Sequence, residues 1–214
     1  EHEGTHTGLI SHTSSSVLAD YNGLHLPTVE VTIADDDLPV HFVSNVFVGG
    51  QEGASGTSNY RIPSMTVAPD GSVLAFAEGR RNGGDPGATL PIDMVMKRST
   101  DHGQTWQPLV VLHQGTFDYS DPRPVTDMET GKVHLLYTQW PDLCGQGCVP
   151  AGLGDNSSVM FLQTSADNGV TWSGPMNLNT QVKNPTWKAL NSGPGHGIQL
   201  RWQSDPARNG RLLD

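Results

Sequence analysis

Short apolar runs separated by polar turns fill most of the chain, and where the runs alternate their period is two. No stretch sustains a 3.6-residue apolar period over three turns, so strands rather than helices are predicted throughout. Val29, Val31 and Ile33 alternate with Glu30 and Thr32, the pattern of a half-buried strand, and Asp35, Asp36 and Asp37 end it. From Phe42 onward the pattern becomes regular. It predicts strands at 43–48, 60–67, 72–78, 92–99, 107–112, 123–127, 132–139, 158–165 and about 174–178, with 197–202 opening a further set. Turn signals such as Pro69-Asp70-Gly71 and Glu129-Thr130-Gly131 fall between them.

Superposed on this pattern is a repeat. Ser99-Thr100-Asp101-His102-Gly103-Gln104-Thr105-Trp106 and Ser165-Ala166-Asp167-Asn168-Gly169-Val170-Thr171-Trp172 both fit S-x-D-x-G-x-T-W, 66 positions apart (99 to 165). The Asp accepts hydrogen bonds from backbone amides ahead of it, as in an Asx-turn. The Gly supplies positive φ without steric cost, and the Trp buries apolar surface as the next strand begins. Each copy is therefore a structural turn with no chemistry of its own, set between the third and fourth strands of a group of four. A fixed period of this size signals an array of similar units. Four-stranded units of roughly 60 residues, repeated radially, are the blades of a β-propeller. The expected class is all-β, with two blades and the opening of a third. Glu1 is not a Met and the last residues, up to Asp214, read as a strand beginning, so a piece of a longer chain is expected.

Composition narrows the partners. The 214 residues are 35% hydrophobic and 16% charged, with 25 Gly and 15 Pro, which fits a loop-rich globular chain rather than a disordered one. A net charge of −10 argues against nucleic acid and anionic membrane surfaces, though a few arginines in a pocket override that field for a small acidic ligand. No run of 18 apolar residues is present, so no membrane span is expected. Cys144 and Cys148 are the only cysteines, in a loop with two glycines that suits either a small disulfide or two free thiols. Further ligands at a zinc spacing are lacking, so no metal and no cofactor are expected there. A secreted, cell-surface or periplasmic location follows from the disulfide option. The three aspartates at 35–37 fit a solvated turn, with calcium as the alternative.

Chemistry-bearing residues cluster elsewhere. Tyr60-Arg61-Ile62-Pro63 opens the first blade and puts Arg61 on its innermost strand. Arg80 and Asp85 follow in Gly79-Arg80-Arg81-Asn82-Gly83-Gly84-Asp85-Pro86-Gly87. A Gly-rich loop suits an acid that reaches over a substrate, and Arg61 with Arg80 could present forked donors to a carboxylate. Asp-Pro-Gly is also a good turn by itself, Asp121 before Pro122 could be a strand-start cap, and Arg81 reads as a solvated neighbour. His196 could line a pocket or serve its loop. Trp140, Trp187 and Trp202 suit packing between blades first and sugar stacking second.

On these residues the chain resembles the sialidase family over about residues 42–214. Tyr-Arg-Ile-Pro matches its arginine motif and the octapeptides match its Asp-boxes. The Arg80–Asp85 loop, Ser120-Asp121-Pro122 and Ser192-Gly193-Pro194-Gly195-His196-Gly197-Ile198-Gln199-Leu200 follow in the family's order. Residues 1–37 resemble the end of a Calx-beta-like extracellular β-sandwich repeat, or a linker, with the propeller portion at 38–214. The resemblance implies a six-bladed propeller that removes terminal sialic acid from glycoconjugates with retention. Arg61 would clamp the sialic acid carboxylate, Asp85 would be the acid/base, and Arg80 and Asp121 would line the pocket. The family's nucleophile is a tyrosine, an exception among glycosidases. Nothing in 1–214 matches that tyrosine, its glutamate or the other clamp arginines, so turnover is not expected from these residues alone. The alternatives are a non-catalytic carbohydrate-binding or adhesion propeller, and an Asp-box glycoside hydrolase acting on another glycan.

Overall fold

A computed structural model describes residues 6–10, 29–33, 43–53, 57–81, 83–87, 91–141 and 148–213. The chain divides into two compact units, Glu1–Val43 and Ser44–Asp214. In the first, β1 (His6–Ile10) pairs antiparallel with β2 (Val29–Ile33) in register His6↔Ile33 to Ile10↔Val29. The aspartates at 35–37 and the expected boundary after 37 lie outside the described residues.

The second unit holds two four-stranded antiparallel sheets. One runs β3 (Asn59–Val67), β4 (Val73–Arg80), β5 (Ile92–Ser99), β6 (Val110–His113). The other runs β7 (Asp118–Asp127), β8 (Lys132–Trp140), β9 (Val159–Ser165), β10 (Met176–Asn177). Each sheet is a simple meander, which is the order of a propeller blade. A two-stranded pair, β11 (Ile198–Gln199) with β12 (Leu212–Leu213), follows them. In β3, Arg61, Pro63, Met65 and Val67 are exposed and the residues between them are more covered, the alternation of an edge strand. Central β4 is buried from Leu74 to Arg80.

The blades share one core. Leu74, Phe76, Met94 and Met96 from the first pack with Tyr119, Val133, Leu135 and Tyr137 from the second. Against it half-buried His113 stacks on Tyr119 at 3.7 Å and hydrogen-bonds the Tyr137 hydroxyl at 2.9 Å. This partial burial lowers the His113 pKa to about 4, so the ring packs against the core uncharged.

Both octapeptides form the expected turn. In the first, Thr105 N–H donates to Asp101 Oδ1 at 2.9 Å and Gly103 N–H to Ser99 Oγ at 2.8 Å. In the second, the corresponding Thr171–Asp167 and Gly169–Ser165 bonds are 2.8 Å each. His102 and Asn168 precede the glycines at φ of 58° and 59°. The second turn also joins the blades: Arg98 Nε donates to the Asn168 carbonyl at 2.8 Å, and Trp172 meets Phe76 edge-to-face at 5.7 Å.

Gly169 shows how tight that joint is. At φ +85° a Cβ would lie 2.6 Å and 2.8 Å from the Leu74 methyls, whereas at Gly103, with the same φ, the nearest atom is 3.7 Å away. Gly103→Ala should therefore cost about 1 kcal/mol from backbone strain alone. Gly169→Ala should cost about 2–4 kcal/mol, because overpacking against Leu74 adds to that strain. Chemical denaturation of the two variants side by side measures the difference.

Three local expectations are corrected. Residues 43–48 form no strand: Val48 N–H turns to Glu52 Oε1 at 2.9 Å and Gln51 N–H returns to the Val48 carbonyl, so the segment folds as a turn that lays Phe47 on Tyr60. Strand β7 begins at Asp118 rather than 123, because a bulge carries Pro122 without a ladder donor. Arg81 is no solvated neighbour, since its Nε and Nη2 donate to buried Asp93 at 3.1 Å and 2.8 Å. Cys148 is disulfide-bonded, and the chain's other cysteine, Cys144, lies outside the described residues.

Candidate active site

The inner strands of the two blades begin with the same device. Tyr60-Arg61-Ile62-Pro63 in β3 and Tyr119-Ser120-Asp121-Pro122 in β7 each carry a bulge just before or at the proline. The residue preceding each proline is left-handed, Ile62 at φ 52° and Asp121 at φ 58°. For a β-branched residue this is strained, and such strain is held in place at sites where a side chain must be re-aimed. The shared Tyr-x-x-Pro spacing (60 to 119) was visible in the sequence but was not read as a repeat.

Between these bulges lies a cavity of about 380 Å³ lined by Ile62, Glu78, Arg80, Asp85, Pro86 and Asp121. Arg80, 3% exposed, donates to Glu78 Oε2 through Nε at 2.8 Å and Nη2 at 2.6 Å, and Nη1 donates to Asp85 Oδ1. Arg61 Nη1 lies 3.6 Å from the same Asp85 oxygen. Asp85 and Arg61 are open to solvent, at 76% and 54% exposure. Of the expected residues, Arg61, Arg80 and Asp85 are thus in direct contact, and Asp121 faces them from the second blade. Arg80 does not open toward solvent beside Arg61; its fork is turned onto Glu78 and Asp85.

Two carboxylates went unread in the sequence. Glu78 is 1% exposed and accepts the Asp121 N–H at 3.0 Å on Oε1, while Oε2 takes Arg80. A lone acid inside the apolar run Val73–Arg80 was the available signal. Asp118, at the start of β7, accepts Gly87 N–H at 2.6 Å and Ile92 N–H at 3.1 Å, and so grips the far end of the Asp85 loop from the neighbouring blade. Behind Asp121, Ser120 Oγ donates to its Oδ2 at 3.0 Å and Trp140 Nε1 donates to Ser120 Oγ at 2.7 Å. Ser192 Oγ donates to the Asp121 carbonyl at 2.8 Å.

The electrostatics follow from burial and pairing. The hydrogen bond from Arg80 and its charge, with Arg61 adding to them, hold Asp85 below the usual carboxylate range. Burial pushes Glu78 up to about 7, against the pull of Arg80 and the Asp121 amide. Tyr60 is pushed up to about 12 by burial, then by Glu52 and Asp93, and its hydroxyl donates to the Glu52 carbonyl at 2.8 Å. It is a structural tyrosine. Chemically, the arrangement offers an anion site at Arg61 beside a carboxylic acid able to exchange a proton at Asp85.

His196 is exposed and does not line the cavity, Trp140 is buried as packing, and Trp187 and Trp202 are 49% and 89% exposed. Among the described residues no cluster of His, Cys, Asp or Glu could hold a metal, and no helix is long and apolar enough to cross a membrane.

Residues 62–205 match the BNR repeat-like domain family. A sialidase of Micromonospora viridifaciens is 37% identical over 173 residues, covering 77% of this chain and 26% of that protein. Sialidase-3 of Bos taurus is 34% identical over 176 residues, covering 76% of this chain and 37% of its own length. The chain therefore spans roughly a quarter to a third or so of these relatives. Among solved structures, the Hadza microbial sialidase Hz136 aligns with a TM-score of 0.63 at 30% identity, covering 68% of this chain and 31% of that one. A leech intramolecular trans-sialidase complexed with 2,7-anhydro-Neu5Ac aligns with a TM-score of 0.69 over 90% of this chain and 46% of that one. At 16% identity this second likeness speaks for the fold, which is that of the sialidase propeller.

Proposed function

The chain belongs to the sialidase family, through its BNR repeat-like domain, and on that premise we propose that its two blades carry part of the site of an exo-α-sialidase. The substrates would be sialylated glycoproteins, glycolipids or oligosaccharides. The observation that carries this reading is the Arg61–Asp85 pair, 3.6 Å apart and open to solvent at one edge of the cavity. Sialic acid presents a carboxylate on the carbon whose glycosidic bond is broken. A cation for the carboxylate and an acid for the leaving oxygen must therefore be neighbours.

Arg61 binds the substrate carboxylate, for which a guanidinium fork is well suited. Asp85 delivers its proton to the glycosidic oxygen as the bond to the anomeric carbon breaks. In the second half of the reaction the Asp85 carboxylate takes a proton from the attacking water, which restores the acid and completes hydrolysis. Asp121 and Arg80 shape the pocket wall. The family's tyrosine nucleophile and its glutamate are taken to come from other parts of the full-length protein. A neutral phenol approaches this centre without the repulsion that a carboxylate would meet from the sugar's own carboxylate. The disulfide at Cys148 supports an exported, oxidising location.

Full-length protein should release the fluorophore from an aryl α-sialoside and leave the matching neutral glycosides intact, with NMR showing α-sialic acid as the first product. Cleavage of neutral glycosides instead would point to the other Asp-box hydrolases. Binding of sialosides without turnover would point to an adhesion propeller.

A further inference from the structure

Glu78 is a buried acid with two distinct tasks. Its Oε2 receives both Arg80 Nε and Nη2, and its Oε1 receives the amide of Asp121, the left-handed residue of the other blade. One carboxylate thus joins the two blades at the cavity and sets the guanidinium that holds Asp85. We propose that Glu78 is the positioning residue of the site, fixing Arg80 for Asp85 and Asp121 for the pocket wall. This inference rests on the sialidase reading for its effect on turnover, though not for its effect on Asp85.

The charges around Glu78 form an alternating string. Arg80 on the same strand comes next, then Asp85 on the following loop, then Arg61 on β3. Asp121 faces it from β7, while Asp93 on the adjoining β5 is already held by Arg81. Arg80 is therefore shared between two acids. The hydrogen bond and charge of Arg80 are what hold Asp85 below the usual carboxylate range, so the Asp85 titration depends on Arg80 being kept in place.

Both oxygens of Glu78 accept hydrogen bonds, and this makes Glu78→Gln a sharp test. The amide nitrogen of Gln would face either Arg80 or the Asp121 amide, donor against donor. In the full-length protein we expect Glu78→Gln to lower kcat about tenfold or more while KM moves by about twofold or less. With Arg80 displaced, Asp85 loses the bond that depresses it, so the alkaline limb of kcat/KM, which reports the loss of the Asp85 proton, should move to higher pH by about half a unit or more. The Asp85 carboxyl resonance, followed by NMR in selectively ¹³C-labelled protein, should titrate higher by a similar amount.

An unchanged Asp85 titration together with an unchanged alkaline limb in Glu78→Gln overturns the inference. If wild-type protein shows no sialoside turnover but the Asp85 titration still moves, the Glu78 role stands and the sialidase reading falls. Should Glu78→Gln fail to fold, Glu78→Asp decides. It keeps the charge but withdraws both oxygens by one methylene, and a wild-type kcat in that variant would overturn the inference.

Discussion

Asp85→Ala is expected to lower kcat for a natural sialyl oligosaccharide by about 10²- to 10⁴-fold, the range for loss of a positioned general acid. The size should depend on the leaving group. A sugar hydroxyl leaves as a poor alkoxide unless protonated, whereas an activated aryl oxygen departs with little help. The same variant should therefore lose markedly less on an aryl sialoside than on sialyllactose. Asp85 also pairs with Arg80 and Arg61, so its removal could act by loosening the cavity. A merely structural role would cost both substrates alike, and an equal loss would remove Asp85 as the acid. The pH dependence has a definite sign. Pairing with Arg80, then Arg61, lowers the Asp85 pKa in the free protein, so the ionised form dominates above that depressed value. The protonated form, and with it kcat/KM, should rise as pH falls toward that value. A bound substrate carboxylate at Arg61 opposes this depression by adding negative charge beside Asp85, so the alkaline limb of kcat should lie above that of kcat/KM.

How much of this was legible in the sequence depends on the distance over which each feature is decided. Period-two alternation and the S-x-D-x-G-x-T-W turns are local, so most of the strands and the four-stranded grouping could be read directly. The segment 43–48 misled because its apolar residues alternate like a strand, while its backbone donors are captured by Glu52 and a tight turn. Arg61, Arg80 and Asp85 were found through short motifs around them. Their mutual geometry was not, because Arg80 is turned away from solvent by Glu78, and an ion pair at spacing two on a strand looks unremarkable in sequence. The grip of Asp118 on Gly87 and Ile92 spans 31 and 26 residues between blades, a separation that no local pattern encodes. The function of the Asp-boxes also became more definite. The second one is a joint between blades, with Gly169 against Leu74 and Arg98 on the Asn168 carbonyl.

The division of labour between the two arginines leads to the second large effect. Arg80 spends its donors on Glu78 and Asp85 and is 3% exposed, whereas Arg61 is 54% exposed and makes only a loose 3.6 Å pair with Asp85. Arg61 is thus the arginine with donors available to an incoming carboxylate. A charge-assisted hydrogen bond to such a group contributes about 1.5–3 kcal/mol. Arg61→Ala should therefore lower kcat/KM for sialosides, and affinity for a carboxylate-bearing sialic acid analogue, by about 10- to 200-fold. Arg61→Lys should recover only part of this, because an ammonium is a point charge without the planar fork. The decisive comparison pairs the analogue with its carboxamide. Wild-type protein should prefer the carboxylate strongly, and Arg61→Ala should erase most of that preference while binding of the carboxamide changes little. If both analogues lose affinity equally, Arg61 shapes the pocket rather than clamping the anion. Removing Arg61 also withdraws one of the charges that lower the Asp85 pKa, so the alkaline limb in Arg61→Ala should move to higher pH, the same direction as the shift expected for Glu78→Gln. Parallel upward shifts from two substitutions on either side of Asp85 are expected when each loosens a cation from it, Arg61 directly and Arg80 through Glu78.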